Sequence, residues 1–274
     1  MNKIELEKIH QRIKPYVHNT PVLTSQIINK LCDAEVYFKC ENFQKMGAFK
    51  MRGAVNAILC LNKEQKSKGV VTHSSGNFAQ ALSLASKYLD VDAYIVMPKN
   101  APKVKKAAVR SYGGIIIESD STITARETMA QKIQNEKGAT FIHPSNDNQV
   151  IYGQGTAAIE LLKEHDDLDY IMAPIGGGGL IAGTILAAEN YSNRCKVIGT
   201  EPAEVDDAYR SLKSGKIELN NSFNTIADGL RTFLGDRNFP IIKEYVDRII
   251  RVEESEIIQA MKLIWERMKI VIEP

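Results

Sequence analysis

Hydrophobic positions alternate along most of the chain between short β-rich runs and longer amphipathic stretches. The β-rich runs predict strands at residues 36–40, 70–72, 93–97, 115–117, 140–143, 170–175, 196–201 and 248–252. The stretches between them predict helices near residues 3–14, 25–31, 50–61, 78–89, 102–112, 124–135, 153–162, 181–191 and 255–268. Strands that alternate with helices form parallel sheets through right-handed crossovers, so the pattern predicts an α/β fold.

The strand and helix series from 69 to 145 predicts a small domain of its own. Residues 1–68 and 146–274 on either side are then expected to build a larger domain. Ligands of open parallel sheets bind beyond the carboxyl ends of the strands. We therefore expect the functional site in the cleft between the two lobes.

Charge and composition exclude several classes of partner. The 35 basic and 33 acidic residues leave a net charge of +2, which gives no electrostatic case for binding nucleic acid or an anionic membrane. No apolar run approaches the roughly 20 residues of a membrane span, and the first residues lack the apolar segment of a secretory signal. We therefore expect a cytoplasmic protein. We also expect its four cysteines to be reduced thiols, since they contain no CxxC pair.

A run of four glycines separates a predicted strand from a predicted helix. Gly176, Gly177, Gly178 and Gly179 precede Leu180 at the start of that helix. A strand that ends in glycines before a helix leaves several backbone N–H groups unpaired beside the positive end of the helix dipole. The segment therefore predicts a binding site for a phosphate group.

The same glycines also allow a dinucleotide site. Residues 177–182 fit the pattern G-x-G-x-x-A, and Glu201 ends the next predicted strand about 20 residues later, where a ribose partner would lie. This alternative leaves the polar turns after residues 40 and 72 without a role.

Those two turns carry the other candidate chemistry. Lys50 lies beside Ala48 and Phe49 rather than among other charges. Apolar neighbours lower the pKa of a lysine and make its amine available to attack an aldehyde, although the pattern also fits a surface lysine at a helix start. The second turn, 74–77, fits a polar cap of the following helix.

Taken together, residues 42–53, 74–80 and 176–180 resemble the fold-type II pyridoxal-phosphate enzymes. The similarity is greatest to the group of serine racemases, serine/threonine dehydratases and 3-hydroxyaspartate dehydratases. It implies a two-lobed fold like that of the tryptophan synthase β subunit, pyridoxal 5'-phosphate as cofactor and a homodimer. It further implies an ammonia-lyase or racemase for L-serine, L-threonine or threo-3-hydroxyaspartate.

The resemblance also implies a role for individual residues. Lys50 would hold the cofactor as a Schiff base and remove the substrate α-proton, and Ser75 would be the acid or base on the opposite face. The remaining cofactor contacts would come from Phe49 and Gly229 near the ring, Asn77 at the 3′-oxygen, and Gly176, Gly177, Gly178, Gly179 and Leu180 at the phosphate. Substrate would be held by Ser74, Ser75, Gly76, Asn77 and Arg126. A Mg²⁺ or Ca²⁺ ion would be bound by Glu201, the carbonyl of Val205 and Asp207.

The chain departs from the group in three places. Phe78 replaces a common histidine, Met46 and Ala48 replace a common threonine and serine, and the family continues beyond Pro274 with a hydroxyl residue that binds the pyridine nitrogen. Two alternatives remain. A β-replacement enzyme of the cysteine synthase type is disfavoured by residues 74–77, because those enzymes typically carry threonine in the corresponding turn. The end at Pro274 would instead fit a protein that binds the cofactor without turnover.

Overall fold

The computed structural model describes residues 1–274 and contains three separate sheets. The nine strands are β1 (Val22–Thr24), β2 (Tyr37–Lys39), β3 (Val70–His73), β4 (Ala93–Pro98), β5 (Ile115–Ser119), β6 (Thr140–Phe141), β7 (Tyr170–Pro174), β8 (Lys196–Pro202) and β9 (Val246–Val252). The twelve α-helices are α1 (Lys3–Ile13), α2 (Gln26–Cys32), α3 (Lys50–Leu59), α4 (Lys63–Lys68), α5 (Asn77–Tyr88), α6 (Lys103–Ser111), α7 (Ile123–Lys137), α8 (Asn148–Glu164), α9 (Gly179–Tyr191), α10 (Asp207–Ser214), α11 (Asn238–Tyr245) and α12 (Glu254–Met268).

Two of the sheets are parallel, as the alternation of strands and helices predicts. The first has the order β5-β4-β3-β6 and the second the order β7-β8-β9, with every neighbouring pair parallel. The third sheet pairs β1 with β2 in antiparallel register, which the hydrophobic pattern did not predict. The α/β class is confirmed.

Each parallel sheet has its own hydrophobic core. The larger cluster joins β3 and β4 to α5 and also includes Met51, Val55 and Ile58 from α3. The second cluster packs α8 and α9 against β7 and β8, around residues such as Ile159, Ile181 and Val197. The division of the chain at residues 69 and 145 stays a prediction. Helix α3, which precedes residue 69, packs in the same hydrophobic cluster as the first sheet.

Three short helices, α4, α10 and α11, were not predicted. Each has only six to eight residues, too few for a clear hydrophobic period. Helix α8 begins five residues earlier than predicted, because the Asp147 side chain accepts hydrogen bonds from the N–H groups of Gln149 and Val150.

Candidate active site

Lys50 is the first residue of α3, with Phe49 as the preceding cap residue. Its Nζ donates a hydrogen bond to the carbonyl of Pro144 at 3.0 Å and lies 5.1 Å from the centre of the Phe49 ring. Burial lowers the pKa of Lys50 from 10.5 to about 8. A larger fraction of the Lys50 amine is therefore neutral near pH 7 than for an exposed lysine.

The loop after β6 connects this amine to the glycine loop, residues 176–179. Pro144 accepts the lysine hydrogen bond, and the next residue, Ser145, packs directly against two of the glycines. A Cβ at Gly177 would overlap the Ser145 hydroxyl, and one at Gly179 would lie 2.8 Å from the Ser145 carbonyl oxygen. The amine and the glycine loop, more than 120 positions apart in the sequence, therefore lie on either side of a single loop.

The glycine loop has the unpaired donors that the sequence predicts. Residues 176–179 are buried, yet none of the backbone N–H groups of residues 176–180 donates a hydrogen bond within the protein. Gly178 adopts φ +86° as the cap of the 13-residue helix α9, which favours glycine. Buried N–H groups beside a helix N-terminus require an acceptor, and a phosphate group is a suitable one. These residues therefore fit the phosphate of pyridoxal phosphate.

The 74–77 turn lies between β3 and α5. Gly76 is the cap residue of α5, and the Ser75 hydroxyl has no hydrogen-bond partner within the protein. A Cβ at Gly76 would meet no atom within 4 Å, and the same holds for Gly229. Both glycines thus face open space, as expected for residues that line a cleft.

Asn77, the first residue of α5, has a partner that the sequence did not predict. Its Nδ2 donates to a carboxylate oxygen of Glu273 at 2.7 Å. An amide nitrogen carries two hydrogens, so one remains for a second acceptor. Glu273 comes close because the segment after α12 runs past Asn42, whose side chain donates to the carbonyl of Val271.

Two histidines lie at the ends of neighbouring strands near Lys50. His143 accepts hydrogen bonds at Nδ1 from the backbone N–H groups of Ser145 and Asn146, so its neutral ring carries a proton on Nε2. Burial, together with the charges of His73 and Lys50, lowers its pKa to about 4. Burial and the charge of Arg126 likewise lower the pKa of His73, the residue that precedes the 74–77 turn.

The residues predicted to bind a cation form an acidic pair behind the glycine loop. Glu201 and Asp207 are each 1% exposed, and burial is the main reason that the pKa of each is raised, to about 8 for Glu201. Asp207 accepts a hydrogen bond from the N–H of Leu234, whose side chain packs beside Gly178. Val205 lies in the connecting turn and is also buried. Two buried carboxylates without a cationic partner fit a divalent cation.

No group of three or more His, Cys, Asp and Glu side chains is arranged to bind a metal. The predicted set contains only two such side chains and a carbonyl. Both oxygens of Glu201 accept hydrogen bonds from the N–H groups of Ala208 and Tyr209 at the start of α10. Glu201 is therefore engaged with the start of α10, and these contacts bear equally on a ribose partner and on a cation ligand.

Sequence reasoning missed the residues that connect the parts of the site. Pro144 and Ser145 follow a parallel strand, so their position beyond its carboxyl end was a usable signal. No sequence pattern pointed to Glu273 or Asn238, because both come from distant segments. The Asn238 side chain donates hydrogen bonds to the carbonyls of Ser145 and Gly177, and Glu273 accepts one from Asn77.

None of the helices has the length and apolar character needed to span a membrane.

Comparison with known proteins places this geometry among characterised relatives. The family model described as pyridoxal-phosphate dependent enzyme matches residues 13–274. A serine racemase of Dictyostelium discoideum is 51% identical over 272 residues, covering 98% of this chain and 84% of the relative. A beta-hydroxyaspartate dehydratase of Paracoccus denitrificans is 48% identical over 265 residues, covering 97% and 84%. The crystal structure of a T.th. threonine deaminase has a TM-score of 0.95 at 41% identity, covering 100% of this chain and 89% of that one.

Proposed function

This chain belongs to the family of pyridoxal-phosphate dependent enzymes, and from that premise we propose that it is an ammonia-lyase or racemase for a small β-hydroxy amino acid. The substrates we propose are L-serine, L-threonine and threo-3-hydroxyaspartate. The relatives support this choice, since their names are serine racemase, beta-hydroxyaspartate dehydratase and L-threo-3-hydroxyaspartate ammonia-lyase.

The proposal rests on the loop at Pro144 and Ser145, which contacts both the Lys50 amine and the glycine loop. Pro144 receives the Lys50 hydrogen bond, and Ser145 packs on Gly177 and Gly179. A molecule that places an anionic tail on the glycine loop and an aldehyde at Lys50 therefore suits the site. Pyridoxal phosphate has both groups.

In this proposal Lys50 holds the cofactor aldehyde and residues 176–180 hold the phosphate. Phe49, Asn77 and Gly229 line the remainder of the cofactor site. When bound, the cofactor supplies an electron sink that stabilises negative charge at the substrate Cα. With a pKa of about 8, the Lys50 amine can accept a proton from that carbon near neutral pH.

Ser75 is the proposed acid or base on the opposite face. Its hydroxyl makes no hydrogen bond to the protein, so it is available to a reacting atom. A proton returned to Cα from this side gives the other enantiomer. Loss of the β-hydroxyl as water, followed by hydrolysis of the released enamine, gives instead a keto acid and ammonia.

The proposed substrate contacts surround this hydroxyl. The 74–77 turn precedes the 12-residue helix α5, whose N-terminal N–H groups attract a carboxylate. Arg126, whose charge lowers the pKa of His73, is the proposed partner of a second carboxylate such as that of 3-hydroxyaspartate.

Three further assignments are part of the proposal. Glu201, the Val205 carbonyl and Asp207 would bind Mg²⁺ or Ca²⁺, supported by the two buried carboxylates. A cytoplasmic location and a homodimeric state complete the proposal, and the homodimeric state is supported by the family resemblance.

The test combines cofactor binding with turnover. The full chain is mixed with pyridoxal phosphate, the absorbance of the complex is recorded, and borohydride followed by peptide mapping locates the attachment site. We expect attachment at Lys50, its loss in Lys50→Ala and no change in the control Lys45→Ala.

The same preparation is then assayed for keto acid and D-serine with each of the three substrates. Attachment at another lysine would contradict the site. Attachment at Lys50 without consumption of any substrate would contradict the activity.

A further inference from the structure

Asn238 is a fully buried asparagine at the start of α11, with 0% of its surface exposed. Its Nδ2 donates to the carbonyl of Ser145 at 3.1 Å and to the carbonyl of Gly177 at 2.5 Å. One nitrogen therefore bonds the loop that anchors Lys50 and the loop that carries the unpaired N–H groups.

Asn238 lies beside two apolar side chains. Its Cβ, Leu234 and Ile242 all lie within about 3.2 Å of the position that a Cβ on Gly178 would take. The Oδ1 atom is buried and has no hydrogen-bond partner. A buried acceptor without a partner is unfavourable, and a leucine would avoid this cost. The benefit of an amide at this position therefore lies in its two donated hydrogen bonds.

Neighbouring residues reinforce the same connection. The N–H of Gly235 donates to the Gly177 carbonyl at 3.2 Å, and the N–H of Arg237 donates to the Asn146 side chain at 2.9 Å. The 235–238 turn thus contacts both loops, and Asn238 is the residue whose side chain bonds both of them at once.

We propose that Asn238 is a positioning residue that sets the spacing between the glycine loop and the carbonyl that anchors Lys50. This inference rests on the proposed function, in which pyridoxal phosphate spans the two places. A ligand held at two points loses affinity when the two points can shift relative to each other. A ligand held only by the glycine loop, such as inorganic phosphate, depends less on that spacing.

The test uses Asn238→Leu, which keeps a similar volume without donors, and Asn238→Ala. Asn56→Ala is the matched control, because Asn56 is also fully buried and donates to a backbone carbonyl, that of Gln149, at 2.8 Å. For each variant we measure the Kd of pyridoxal phosphate by absorbance, the competition by inorganic phosphate, and the thermal midpoint.

Both Asn238 variants are expected to weaken pyridoxal phosphate binding by about tenfold and phosphate binding by less than about threefold. Asn56→Ala is expected to lower the thermal midpoint and leave the Kd unchanged. Equal weakening of both ligands would overturn a spacing role, and so would a Kd of Asn238→Leu within about twofold of the original chain. If the original chain itself takes up no pyridoxal phosphate, the proposed function fails and the inference fails with it.

Discussion

The contact between Gly177 and Ser145 leads to a prediction about the proposed phosphate-binding site. In Gly177→Ala the new Cβ would overlap the Ser145 hydroxyl and lie 2.8 Å from the Ser145 Cβ, whereas the next neighbour, the Phe233 carbonyl oxygen, is at an ordinary 3.5 Å. Overpacking of this kind costs about 1–3 kcal/mol. We expect the thermal midpoint to fall by about 2–4 °C for each kcal/mol and the affinity for pyridoxal phosphate to fall about tenfold or more.

The cause of the clash can be removed separately. Ser145→Gly deletes both clashing atoms, so the double variant with Gly177→Ala should be more stable than the sum of the two single effects predicts. Gly229→Ala is the stability control, because its Cβ would meet no atom within 4 Å. Urea unfolding and absorbance titration measure the two quantities. The reasoning is refuted if Gly177→Ala binds the cofactor normally, or if Ser145→Gly brings no recovery.

Three further predictions concern charged groups. Arg52→Met should cost about 3 kcal/mol in urea unfolding, because it leaves Glu41 without its buried partner and leaves Glu160 with only Lys39 and His10. A loss below about 1 kcal/mol would contradict this. Capture of Lys50 by pyridoxal phosphate and borohydride should rise with pH around a midpoint near 8, and a midpoint near 10.5 would show that the amine is not desolvated. Burial raises the pKa of Glu201 from 4.5 to about 8, so the free energy of unfolding should fall as pH rises through this interval. We expect Mg²⁺ or Ca²⁺ to restore the thermal midpoint at pH 8.5 in the original chain but not in Glu201→Gln. An equal response of both proteins would argue against the cation site.

Much of the fold could be predicted from local patterns. Strands such as β3, β4 and β8 are short β-rich runs between amphipathic helices, and the parallel order of the two larger sheets follows from that alternation. Helix α4 had a signal that the sequence reasoning did not use, since Asn62 and Gln65 form a reciprocal capping box. Helix α10 depends on a side chain of the preceding strand, because Glu201 on β8 accepts hydrogen bonds from the N–H groups of Ala208 and Tyr209 in its first turn.

The sequence by itself determined the parts of the candidate site that are contiguous. The lysine turn, the 74–77 turn and the glycine loop each carry their proposed chemistry in neighbouring residues, so local patterns and the family resemblance were sufficient to predict them. Only the tertiary structure decided how these parts meet. Pro144 contacts a lysine 94 positions away, and Asn238 bonds carbonyls 93 and 61 positions away. Such contacts depend on how the sheets and helices pack, and residue periodicity carries no information about that packing.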